Sequence, residues 1–128
     1  MSDALDTSVV LRLLVGEPPE QAEAARRHLE ASDQPVVVDR LVIAESYFAL
    51  RHHYRVPHVD AAEALLALLS SDRVSASPAM TSALRAARAA PEPGLVDRLI
   101  VAAAQESGHT LRTFDRRLAR VDGARLLR

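Results

Sequence analysis

The sequence predicts an α/β domain built on a short-stranded, mainly parallel sheet. Three observations carry this. Val36 to Val38 is a β-branched run bounded by Pro35 and Asp39, the strongest strand signal in the chain. Further short strand candidates alternate with longer segments whose apolar residues recur at helical spacing. The helical segments also carry their own start and stop signals, acids or prolines at one end and glycine or proline at the other. An all-helical bundle is the structural alternative, because helix content is high and the strands are short. With 128 residues the chain fits one compact domain, residues 1–128.

Taken in order, Ala4 to Asp6 reads as a very short strand. Thr7 to Val15 follows in helical register, capped by Asp6 or Thr7 and ended by Gly16. Pro18 to Ser32 is a mostly polar surface helix with prolines at its first turn. After the Val36 to Val38 strand, Asp39 caps a long helix that must end by Val56, since Pro57 follows. Asp60 opens the next helix, through Ser71, with Asp60-Ala61-Ala62-Glu63 in the outline of a capping box. Val74 centres a short strand, and Pro78 to Ala90 is an alanine-rich helix. Pro91-Glu92-Pro93-Gly94 is a break. Leu95 to Ser107 is a helix closed by Gly108. Thr110 to Thr113 is a strand, Asp115 to Arg120 a short helix, and Ala124 to Leu127 a last strand after the Asp122-Gly123 turn.

Composition narrows the function. Hydrophobic residues make up 48% of the chain, which argues for a packed core over disorder. The net charge of −1 does not mark the whole molecule as a polyanion binder. There is no cysteine, so disulfides and thiolate metal sites are excluded. No stretch reads as a signal peptide or is long enough to span a bilayer, and the expected location is the cytoplasm. Every basic side chain is arginine; lysine is absent. That weighs against receiver-like or phosphatase-like phosphoacceptor proteins, which hold a lysine near the phosphate. No G-x-G-x-x-G loop supports dinucleotide binding. Two Tyr and two Phe are too few for a base-stacking platform.

The acids carry the functional signal. Glu45 lies inside an apolar helical segment, on one face with Leu41, Phe48 and Ala49, the face expected to be buried. A buried carboxylate needs a cation or hydrogen-bond donors. A buried ion pair with Arg12 or Arg98 is the plain alternative to a metal. Asp6 and Asp115 follow predicted strands, and Asp97 lies in the first turn of its helix. Binding sites on open parallel sheets form at the carboxyl ends of strands, so all four acids are placed to approach one edge. Individually, Asp6, Asp97 and Asp115 are also ordinary helix-start residues. Together, oxygen donors without sulfur or histidine suit a hard ion, Mg²⁺ or Mn²⁺. A site of that kind activates water and supports in-line displacement at phosphorus.

These residues, in this order, resemble the PIN domain, and within it the VapC-type toxin ribonucleases of bacterial toxin–antitoxin pairs. Leu5-Asp6-Thr7-Ser8 is similar to the opening acid and hydroxyl residue of the family, and Glu45 to its second acid. Asp97-Arg98-Leu99-Ile100-Val101-Ala102, then Gly108, then Thr113-Phe114-Asp115 is similar to its most specific block. Leu118 departs from the aromatic residue common after the last acid. The resemblance implies a three-layer α/β/α sandwich with a five-stranded parallel sheet. It implies a Mg²⁺- or Mn²⁺-dependent endoribonuclease, frequently a homodimer, inhibited by a cognate antitoxin protein. It implies that Asp6, Asp97 and Asp115 bind the metal and that Glu45 completes the cluster and orients or deprotonates the attacking water. Thr113 is a candidate to contact a metal-bound water or a phosphate. Arg112 and Arg116 are candidate RNA contacts, since the arginine fork suits phosphate. A non-catalytic PIN-like interaction module is the rival function.

Overall fold

The computed structural model describes residues 2–128. The chain divides into two compact units, one running to Ala76 and one from Ser77 to Arg128.

In the first unit, α1 (Thr7–Val15) begins at an Asp6 cap and ends at Gly16, whose φ of 82° is the left-handed conformation that favours glycine. It packs on α2 (Pro19–Ala31), α3 (Arg40–Phe48) and α4 (His58–Leu69). The strands are minimal. β1 (Val36–Val37) pairs in parallel with β2 (Val74–Ser75), Val36 opposite Val74. The predicted Ala4 to Asp6 strand contracts to a single bridge, Ala4 beside Val37, fixed by Leu5 N–H to Val37 O at 2.9 Å and Val37 N–H to Asp3 O at 2.8 Å. Val36 and Val38 are buried while Val37 between them is 39% exposed, the alternation of a strand with one covered face.

The second unit opens with α5 (Pro78–Ala89), whose Ser77 cap accepts from the Ala79 and Met80 amides. It packs on α6 (Leu95–Glu106). β3 (Leu111–Thr113) pairs in parallel with β4 (Ala124–Leu126). A 3₁₀ turn at Leu118–Arg120 joins them. Val101, Leu118 and Ala124 form a buried cluster, with Leu111 and Val121 packed against it. Gly123 has φ 95°, the left-handed conformation that favours glycine; a Cβ there would meet only the exposed, flexible Gln105 side chain, so the demand comes from the backbone.

Several expectations need correction. Parallel pairing is present, but as two separate two-stranded ladders; a five-stranded sheet is not found among the described residues. The helix holding Glu45 is capped by Asp39 and ends before Val56, as expected, but its last turn, Ala49–His53, is π-helical. α4 starts at His58, so Asp60 lies in the first turn rather than at the cap. Pro57 stands at the cap, and its fixed φ already sets the entry to the helix. The expected Asp115 to Arg120 helix narrows to the Leu118–Arg120 turn.

The most consequential correction concerns Glu45. It is exposed, and so are its face-mates Leu41 at 69% and Phe48 at 48%. The buried side of α3 is instead Ile43 and Ser46, continued by Leu50 in the π turn. Apolar residues surround this helix, so spacing alone does not choose its inward side. Ser46 is the small residue that lets α3 sit close; its Oγ is buried without a partner among the described residues.

Candidate functional site

Asp6 leaves the bridged segment in extended conformation (φ −92°, ψ 178°) and caps α1. Its Oδ1 accepts from the Ser8 hydroxyl at 2.6 Å and from the Val9 amide at 3.2 Å. The Ser8 bond above all, then the Val9 amide, holds the Asp6 carboxyl below the ordinary carboxylate range. Asp6 is therefore an anion across the physiological range. The adjacent Thr7 donates its hydroxyl to Glu45 Oε1 at 2.9 Å. Consecutive residues at one helix start thus hold Asp6 and reach Glu45 from α3. Glu45 gains its donor from a threonine and not from a guanidinium. The two arginines considered for it are engaged elsewhere: Arg12 Nε donates to Gln21 Oε1 at 2.6 Å, and Arg98 holds backbone carbonyls.

In the second unit, Asp115 repeats the Asp6 arrangement. It stands two residues beyond β3, as Asp6 stands two residues beyond the Ala4 bridge. Its Oδ1 accepts from the Arg117 amide at 2.8 Å and the Leu118 amide at 3.2 Å. Its own N–H donates to Thr113 Oγ1 at 2.9 Å, so the Thr113 hydroxyl serves a strand-end turn. Asp97 lies half-buried in the first turn of α6, where Gly94 supplies no side-chain cap. A carboxylate there is favoured by the helix dipole. No hydrogen bond or ion pair engages it among the described residues. Arg112 and Arg116 are exposed.

The carboxylates therefore come as Asp6 with Glu45 in one unit and as Asp97 and Asp115 in the other. Among the described residues no group of three or more His, Asp or Glu side chains is placed to hold a metal ion. The donor chemistry nonetheless fits a hard divalent cation: Asp6 and Asp115 each cap with Oδ1 and leave Oδ2 clear, and both oxygens of Asp97 are unengaged. A capped carboxylate is also fixed in orientation, which a ligand oxygen requires.

One constellation escaped the sequence reading. Arg98, Arg117 and Arg120 line a common cavity of the second unit with Glu92. In the sequence Arg98 stands out only as an ion-pair partner for Glu45. The i, i+3 spacing of Arg117 and Arg120 in the expected Asp115 to Arg120 helix was the available signal, since residues three apart share a face, but no spacing brings Arg98 to them.

No helix among the described residues is long and apolar enough to cross a membrane. A family model for the PIN domain matches residues 4–124. No curated protein matches the chain.

Proposed function

The chain belongs to the PIN domain family, whose members are typically metal-dependent nucleases, and on that premise we propose that it is a cytoplasmic Mg²⁺- or Mn²⁺-dependent endoribonuclease acting as the toxin of a toxin–antitoxin pair. The observation that carries this reading is the shared arrangement of Asp6 and Asp115. Each follows a parallel-paired segment, caps the next turn with one oxygen, and presents the other. Helix capping alone asks for serine or asparagine as readily as aspartate. Aspartate at both positions, with an unengaged Asp97, favours cation binding over capping alone.

In this reading Asp6, Asp97 and Asp115 are the residues that would hold the ion, through carboxylate oxygens. A bound Mg²⁺ or Mn²⁺ supplies charge neutralisation at the scissile phosphate and lowers the pKa of a bound water. Glu45 orients the attacking water and takes its proton at Oε2, because Oε1 is occupied by the Thr7 hydroxyl. That hydrogen bond fixes the carboxylate plane. Thr113, turned by its bond to the Asp115 amide, directs its hydroxyl hydrogen to a water or phosphate oxygen. Arg112 and Arg116 contact the RNA backbone. The exposed Leu41 and Phe48 favour a protein partner, the antitoxin or a second copy of the chain, since large apolar side chains grouped on a surface are commonly covered.

The test is cleavage of end-labelled RNA by the wild type, Asp97→Asn and Glu45→Gln, each with Mg²⁺, with Mn²⁺ and with chelator. Metal-dependent cleavage by the wild type and a loss of about a hundredfold or more in both variants is expected, since each removes a group acting directly in the reaction. Cleavage that persists in chelator, or in Asp97→Asn, refutes the assignment.

A further inference from the structure

The cavity of about 380 Å³ bounded by Glu92, Pro93, Arg98, Arg117, Arg120 and Val121 is lined by three arginines and one glutamate. The fold builds this excess deliberately from local parts. Arg98 donates from Nε to Pro93 O at 2.8 Å and from Nη2 to Glu92 O at 3.1 Å and Ala90 O at 3.2 Å. Those bonds lock its plane and anchor the proline-rich break, while Nη1 stays unengaged among the described residues. Arg117 and Arg120 extend from the 3₁₀ turn, where residues three apart eclipse and so point to one side. Leu118, buried between them in sequence, pins that turn to the core. Asp115 fixes its start through the Arg117 and Leu118 amides.

Glu92 is the one anion in the cavity wall. Its Oε2 lies 3.4 Å from Arg117 Nη1, and both side chains are 70% exposed. An exposed pair at that distance is weak and easily exchanged. Three arginines line this cavity with one carboxylate that only Arg117 holds, and loosely; that excess of positive charge suits a stronger anion, and the arginine fork matches a phosphate.

We propose that this cavity is a phosphodiester-binding subsite for the RNA strand, in which a backbone phosphate replaces the Glu92 carboxylate on Arg117 and joins Arg98 and Arg120. The inference rests on the nuclease reading for its choice of RNA as the source of the phosphate. It is distinct from the carboxylates and does not require a metal.

Binding of a short fluorescein-labelled single-stranded RNA is measured by anisotropy in chelator, across a salt series, so that no cleavage intervenes. Arg117→Gln combined with Arg120→Gln is expected to weaken binding about five- to tenfold near 0.1 M salt and to reduce the salt slope by about 0.7, the contribution of one single-strand phosphate. Glu92→Gln is expected to tighten binding about two- to threefold by removing the competing anion. Both changes are on exposed side chains, and circular dichroism verifies that each variant is folded. Wild-type binding with the double variant unchanged overturns the subsite and leaves the nuclease reading standing. Loss in the double variant without any metal-dependent cleavage by the wild type supports the subsite and refutes the nuclease. Failure of the wild type to bind RNA overturns the subsite. Inorganic phosphate binding as tightly as the oligonucleotide assigns the cavity to a free anion and likewise overturns the RNA assignment.

Discussion

Replacing Asp115 in two ways separates its service to the fold from its service to the chemistry. Its Oδ1 accepts two backbone amides, from Arg117 and Leu118, at 2.8 and 3.2 Å. Asp115→Ala removes the acceptor and leaves both amides to solvent. Loss of a cap of this type costs about 0.5–2 kcal/mol; with two amides released, about 1–2 kcal/mol is expected. For a chain of this length that lowers Tm by about 4–8 °C. Asp115→Asn keeps a neutral carbonyl acceptor in the same place and removes the charge. It should cost less than half of the alanine change, since Asn is as good a cap as Asp. Both variants remove a carboxylate proposed to bind the metal, so both should lose cleavage. The assay is thermal unfolding in chelator, paired with RNA cleavage in Mg²⁺. An Asp115→Ala variant as stable as the wild type refutes the cap. An Asp115→Asn variant that cleaves normally refutes the catalytic role, whatever its stability.

Four further outcomes follow from other contacts. Ile43→Ala should cost about 2–5 kcal/mol and Leu41→Ala less than about 1 kcal/mol, because Ile43 is buried and Leu41 exposed; equal costs by denaturant unfolding would reverse the rotation of α3. Ser46→Ala should stabilise the protein by about 1 kcal/mol, since it removes a buried unpaired hydroxyl; a lower urea midpoint contradicts this. A Thr7→Val and Glu45→Ala double-mutant cycle should give a coupling of about 0.5–1.5 kcal/mol, and no coupling would dissolve the link between them. Because the folded-state pKa of Asp6 is depressed, its contribution to stability is complete above the ordinary carboxylate range and is lost as pH falls through the lowered value. Asp6→Asn should therefore flatten the acid side of the stability profile, and an unchanged acid profile would deny the Ser8 and Val9 bonds.

Local chemistry was the legible part of this chain. The Asp6 and Asp39 caps, the Gly16 stop, the Pro91 to Gly94 break and the Asp122-Gly123 turn depend on residues within a few positions, and the structure places each near its expected site. What failed depended on packing. Leu41, Val42, Ile43 and Phe48 give α3 apolar residues on every side, so the inward side is set by how Ser46 permits close approach. The strand candidates were located to within a residue or two, but the ladders they join are decided by pairing partners far apart in sequence. Likewise the convergence of Arg98 with Arg117 and Arg120 needs both the clamp on the Pro93 carbonyl and the 3₁₀ turn. Neither is encoded in spacing alone.

Electron paramagnetic resonance of Mn²⁺ titrated into the wild type, Asp6→Asn and Asp97→Asn bears most directly on the carboxylate centre. Saturable Mn²⁺ binding by the wild type, displaced by excess Mg²⁺ and abolished or greatly weakened in each folded variant, is the predicted result. Equal Mn²⁺ binding by all three proteins would contradict it.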